Sequence, residues 1–417
     1  MGMNARKNTK TKFITLKNGL KLVLEDIEDF RSVSIGLGIL GGSVSDPPDS
    51  KGMAHLIEHM VFKGTKKRNS FQIKEPIEKS GGVLNAFTSR EVTFYYAKIP
   101  YFKILEAIDI IFDMAFNPLF DGEDLMKEKE VIVEEIKHLE DDPYGKIHDI
   151  FLREAFNNSN YGSTIFGSID SVLKISKMDI LNYHNRFYNA SNMILSIAGR
   201  ITDELTEKIR EIENTYQSQS FSFRINPPKF EPKEEEIKEF KRDINQVHLL
   251  MGTAAPGRRD EDFFAFSVFN TLFGDGMSSR LFNKIREEEG LAYNIHTEYL
   301  TFGDIGLFLI YSSTSPEKLD RLLLKLQKEI EDITQGSITR EELEYGKERI
   351  KGELLLATEN TFSRMYKNFE DVRIFDKVLD VDWLANNFDS VTIQDLLEIT
   401  RKYFKDTWLR VLLNPKH

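Results

Sequence analysis

The sequence predicts an α+β protein of two homologous domains, each a mainly antiparallel sheet with helices packed on one face. Three observations lead there. At 417 residues the chain is too long for one ordinary core, so two domains of about 200 residues each are expected. Runs such as "VSIGLGIL", "EVTFYYAKI", "HLLMGTA" and "GLFLIYS" read as strands, while 103–115, 122–140, 317–332 and 340–356 carry the 3.6-residue apolar spacing of helices. These elements mix without strict βαβ alternation, which disfavours an all-parallel sheet. The chain also repeats itself: "EDLMKEKEVIVEEI" parallels "EELEYGKERIKGEL" at an offset of 218, and "DILNYHNRFYNASNMILSIAG" parallels "DLLEITRKYFKDTWLRVLLNP" at 216.

The periodicity breaks at 216–240, "YQSQSFSFRINPPKFEPKEEEIKEF", where Ser/Gln, Pro-Pro and a charge run replace it. The expected division is therefore an N-terminal domain over 1–215, a linker over 216–240 and a C-terminal domain over 241–417. A net charge of −11 argues against nucleic acid or an anionic membrane as partner and favours basic ligands. The N-terminus is basic but lacks the apolar stretch of a secretory signal, and no apolar run is long enough to span a bilayer. A cytoplasmic protein is expected. With no cysteine in the chain, thiolate catalysis and Cys-ligated zinc are excluded, which leaves His and carboxylate donors.

Such donors stand together in "GMAHLIEHMVFKG", residues 52–64. Asp49 or Ser50 can cap a helix running from about Lys51 to Lys63, with Gly64 as its stop. His55 and His59 then lie one turn apart on one face with Glu58 beside them, surrounded by Ala, Leu, Ile, Met, Val and Phe. An unpartnered polar group in such a setting costs on the order of 2–7 kcal/mol. Core histidines bonded to backbone would answer the cost. A divalent metal answers it better: two imidazoles take tetrahedral positions, and a glutamate that is not a ligand can reach the attacking water. Zinc is the metal this donor set suits best. The third ligand is sought on the helix 122–140. Leu125, Ile132, Ile136 and Leu139 form its buried stripe, and Glu123, Glu130 and Glu134 fall on the solvated face. Glu128 and Glu135, seven apart at the stripe's edge, are the two candidates, one to bind metal and one to orient a histidine from behind.

H-x-x-E-H is the inverzincin pattern, and the chain resembles the pitrilysin/insulinase-type zinc peptidases, especially their processing-peptidase branch. The resemblance rests on "HLIEHMVFKGT", "GGVLNAFTSREVTFYYAKI", "EKEVIVEEI" and "SSRLFNKIREEEGLAYNI", in order and at about the family's spacing. It implies His55, His59 and Glu135 as zinc ligands, Glu135 following His59 by 76 residues, with Glu128 as the supporting glutamate. It further implies Glu58 as the base that activates water, and Arg286 and Tyr293 as donors to the substrate carbonyl. Asn85 and Ala86 would line an edge strand on which extended substrate adds. The second half has no H-x-x-E-H: Phe269 and Phe273, or Phe273 and Met277, stand opposite the histidines, so one zinc per chain is implied.

The function so implied is a zinc-dependent endopeptidase cleaving peptides or extended unfolded segments inside a dimeric clamshell, and the acidic balance adds the expectation of basic peptides. The dimer would be a homodimer or a heterodimer with a related subunit. The alternative is a non-catalytic substrate-binding or assembly subunit of a processing-peptidase-like complex.

Overall fold

The computed structural model describes residues 9–156, 159–216, 223, 228–230, 236–404 and 408–416, so most of the expected linker at 216–240 lies outside the described residues. The chain forms two compact units. The first unit holds a six-stranded sheet of β1 (Thr9–Thr15), β2 (Lys21–Ile27), β3 (Ser32–Leu40), β4 (Val83–Thr88), β5 (Val92–Pro100) and β6 (Met193–Gly199), in the order β1-β2-β6-β3-β5-β4. Among the described residues only β2 and β6 are parallel neighbours within it. The second holds β7 (Glu236–Arg242), β8 (Val247–Pro256), β9 (Asn294–Phe302), β10 (Ile305–Thr314) and β11 (Leu409–Pro415), in the order β7-β11-β8-β10-β9. Its parallel pair is β7 and β11.

Dropping β1, the two orders and their single parallel pairs superimpose, so the repeat seen in sequence is a repeat of topology. β6 starts at residue 193 and β11 at 409, the expected offset. Even the helix starts repeat. Ser176 with Asp179, and Thr392 with Asp395, form reciprocal capping boxes before helices Lys177–Phe187 and Ile393–Tyr403.

In the first unit the main core lies between one sheet face, through Val33, Ile35, Leu37, Tyr95 and Ile197, and the helices α1 (Met53–Val61), α2 (Ser70–Lys79), α3 (Ile104–Phe116) and α4 (Gly122–Asp141). The other face is covered as well. Helix Thr361–Phe375 sets Met365, Phe369 and Val372 against Val23, Phe94, Ile194 and Ala198. Gly36 and Gly38 of β3 make room for it: a Cβ at Gly38 would stand 2.1 Å from Phe369 Cε2. Buried polar contacts fix the seat, Ser34 Oγ with Thr361 Oγ1 at 2.8 Å, and Asn368 Nδ2 donating to Glu25 at 2.7 Å.

That helix comes from the second half of the chain, and the exchange is mutual. By packing, the units are 1–137, 163–226 and 357–379, against 138–162, 227–356 and 380–417. The contiguous domains expected from composition therefore trade one segment each. The reason is that a strand buried on both faces, as β3 and β6 are, needs a second cover that its own half does not supply.

In the second unit the traded segment is α5 (Pro143–Ala155), packed on β8 and β11. A polar cluster joins it to the sheet. Tyr144 Oη donates to Glu298 Oε1 at 2.8 Å, His148 Nε2 lies 2.9 Å from the same oxygen and His296 Nε2 3.2 Å from it. Burial works to lower the His148 imidazole, but its hydrogen bond to Glu298 and that carboxylate's charge prevail and raise it. Burial would raise Glu298, yet the histidines and Tyr144 hold it well below the carboxylate range. The signs set a window. The His148 contribution is complete below its unfolded value near 6.5 and fades as pH rises through the higher folded one; the Glu298 contribution is complete above about 4.5 and fades in acid. A His148→Gln chain is expected to lose about 1–2 kcal/mol in urea denaturation at pH 5.5 and clearly less at pH 8.5. An equal loss at both pH values would dismiss the charged pair.

No helix among the described residues is long and apolar enough to cross a membrane.

Candidate metal centre

α1 is nearly all buried, and its first turn is capped from a distance. The sequence suggests Asp49 or Ser50 as cap; instead the carboxylate of buried Asp46 accepts from Gly52 N at 2.8 Å and Ala54 N at 2.9 Å. Gly52 itself is left-handed at φ 89°, and a Cβ there would stand 2.3 Å from the Phe166 carbonyl oxygen. Burial pushes the Asp46 carboxyl up to about 7 against the pull of these amides and of Lys51. The helix runs from Met53 to Val61, inside the predicted span.

α4 begins where Asp121 accepts from Glu123 N at 2.8 Å, and it turns Leu125, Ile132 and Ile136 into the core. Glu123, Glu130 and Glu134 are exposed, as the helical spacing requires. Leu139, expected in the buried stripe, is half-buried. Glu128 is buried and Glu135 half-buried, both facing α1.

There the donors converge. Glu135 Oε2 lies 3.8 Å from His55 Nε2 and 3.8 Å from His59 Nε2, and one ligand atom from each residue falls within 4.8 Å of the others. These distances are too long for hydrogen bonds. Zinc bonds of 2.0–2.1 Å in a tetrahedron would put ligand atoms about 3.4 Å apart, so the gap closes on an ion with a small contraction. Glu135 Oε2 is a buried oxygen with no hydrogen-bond partner, and His55 Nδ1 is a buried nitrogen with none. Buried polar atoms are almost always paired, so an orphaned carboxylate oxygen facing two imidazoles fits a cation. Burial first, then the charge of His59, pushes the His55 imidazole down to about 3, which leaves it neutral and able to donate its lone pair.

Glu128 Oε2 stands 3.0 Å from His59 Nδ1, behind the ring, and its other oxygen is paired with Lys63 Nζ. The two glutamates that the helical spacing leaves undivided thus take different places. Glu58, not itself one of the donor trio, accepts at Oε2 from Thr88 Oγ1 at 2.6 Å. Burial raises the Glu58 carboxyl, with the Glu135 charge adding to it, while Thr88 and His59 oppose the rise.

Asn85 and Ala86 sit on β4, the edge of the first sheet, paired on one side with Tyr96 and Tyr95. Asn85 Oδ1 accepts from Ala86 N at 2.8 Å. Arg286 and Tyr293 belong to the second unit. Arg286 lies in a π-helical turn, Phe282–Glu287, with its guanidinium 4.6 Å from the Phe282 ring centre, and Tyr293 is 70% exposed. Phe269 and Phe273, opposite the histidines in the repeat, are core residues with stacked rings. Glu353, opposite Glu135, is exposed and bonded to Arg349.

Three neighbours of the site escaped the sequence reading. Thr88 is two residues along the strand from Ala86, and Lys63 is four along from His59, so spacing could have found both. Phe166, edge-on to His55 at 4.9 Å, has no local signal.

Two copies of one α+β unit, with a His-His-Glu donor set only in the first among the described residues, define a duplicated protein with one candidate metal centre. Residues 21–168 match the description "Insulinase (Peptidase family M16)" and residues 174–350 match "Peptidase M16 inactive domain". A Bacillus subtilis relative, the uncharacterized zinc protease YmxG, is 32% identical over 401 residues, 96% of this chain and 97% of its own. An uncharacterized zinc protease of Streptomyces coelicolor is 29% identical over 398 residues, 93% of this chain and 86% of its own. In fold, the crystal structure of a protease from Helicobacter pylori matches with a TM-score of 0.88 at 22% identity, over 98% of this chain and 100% of that one. The chain belongs to the insulinase family of peptidases, M16.

Proposed function

We propose that the protein is a zinc-dependent endopeptidase, with His55, His59 and Glu135 as ligands and one zinc per chain. The observation that carries this is the unpartnered Glu135 oxygen 3.8 Å from both imidazole nitrogens, with Glu58 beside them and outside the donor trio. When bound, zinc supplies Lewis acidity that polarises the scissile carbonyl and makes water easier to deprotonate. Glu58, steadied by Thr88, takes the proton as the water oxygen bonds to the carbonyl carbon, then delivers it to the departing amine as the C–N bond breaks. The substrate lies along β4 as an added strand. The Ala86 N–H, now held by the Asn85 side chain, is released to it.

Arg286 and Tyr293 act as donors to the developing oxyanion. In the dimer proposed here, homo- or heteromeric, they serve the partner chain's zinc. Their exposure supports a role that needs something from outside the chain. The test is metal analysis with cleavage of a quenched peptide. About one zinc per chain and activity abolished by a chelator are expected; a folded, metal-free, inactive chain would favour the non-catalytic subunit instead. Mixing a Glu58→Gln chain with a Tyr293→Phe chain is expected to restore activity, up to about a quarter of wild type for random pairing, since one intact composite site forms per mixed dimer. No recovery in verified mixed dimers would sink assembly across chains.

A further inference from the structure

We infer that Lys63 is a positioning residue of the metal centre: by holding Glu128, it fixes the ring and tautomer of His59. The inference rests on the zinc reading above and adds a residue to it.

To bind metal through Nε2, an imidazole must carry its proton on Nδ1, and the group that accepts that proton decides the ring's orientation. His59 Nδ1 has such an acceptor, Glu128 Oε2 at 3.0 Å. A carboxylate held at one oxygen alone can still turn about its last side-chain bond. Glu128 is held at both. Lys63 Nζ sits on Oε1, and the Glu128 side chain is only 7% exposed, so water has little access to replace the ammonium.

The placement follows from α1. The helix ends at Val61, and one further turn, with Lys63 N donating to the Met60 carbonyl at 3.1 Å, sets Lys63 four residues beyond His59 on the same face. His59 from α1 and Lys63 from the turn that follows it thus grip one carboxylate of α4 from two sides. A cation there also suits the C-terminal end of a helix. The two histidines are consequently unequal. His55 Nδ1 has no partner, so only His59 is oriented before metal arrives.

A structural tether between α1 and α4 would involve the same three residues, so the test needs more than stability. Three full-length chains are compared: wild type, Lys63→Met and Lys63→Arg. Zinc affinity is read by competition with a chromophoric chelator, and the His59 tautomer by ring nitrogen shifts in metal-free protein labelled with 15N-histidine. Lys63→Met is expected to bind zinc about tenfold more weakly, with the Nδ1–H signal of His59 lost or averaged, and Lys63→Arg to restore both. Glu128→Gln should weaken zinc at least as much, and adding Lys63→Met to it should cost little more. If wild type binds one zinc and Lys63→Met binds it as tightly with the tautomer unchanged, the role assigned to Lys63 is wrong and the zinc reading stands. If wild type binds no zinc, both fall.

Discussion

Glu58→Gln is expected to leave one zinc in the chain and to lower kcat about 10²–10⁴-fold, the usual worth of a positioned acid–base group. The substitution keeps the shape of the side chain and a carbonyl oxygen able to accept from Thr88, so the rotamer of residue 58 should survive. What disappears is the capacity to take a proton. KM should change little, because the edge of β4 on which substrate adds is untouched. Metal content and peptide kinetics on the same sample decide the matter. A variant that loses its zinc would make Glu58 a ligand, and one that cleaves at nearly the wild-type rate would remove it from the chemistry.

The H-x-x-E-H helix was legible because periodicity and burial conflict there: positions that should be apolar hold three polar groups. The same spacing on 122–140 correctly separated Glu123, Glu130 and Glu134, all exposed, from Glu128 and Glu135. It placed Leu139 too deep, since a stripe's edge depends on what packs beside it. The repeat was legible because two matches shared one offset, and the sheet orders carry it into topology. Other features were not. Asp46 caps α1 from six and eight residues away, beyond the local window in which caps are sought. The exchange of 138–162 and 357–379 leaves no mark in composition, because a helix that joins the unit built mainly by the other half of the chain looks like any amphipathic helix. Its trace lay in β3, where one face runs Ser32, Ser34, Gly36 and Gly38, small residues that leave room for a covering helix.

Replacing Glu135 with glutamine should move metal affinity and metal-free stability in opposite directions. The amide is a much poorer zinc donor than the carboxylate, so affinity should fall about 10²–10⁴-fold, a substantial share of the binding free energy of a four-coordinate site. Catalysis at limiting zinc should fall with it. In the metal-free chain the carboxylate is a liability: its Oε2 is buried without a partner, and its charge works against Glu58. Removing the charge should therefore raise metal-free stability by about 1 kcal/mol, within the cost of an unsatisfied buried group. Saturating zinc should stabilise wild type far more than the variant, following RT ln(1 + [L]/Kd). Thermal unfolding of both chains, with and without zinc, gives all four values. A purely structural Glu135 would produce a loss of stability in the metal-free chain and no difference in the response to zinc, and either result would rule out the donor trio as a metal centre.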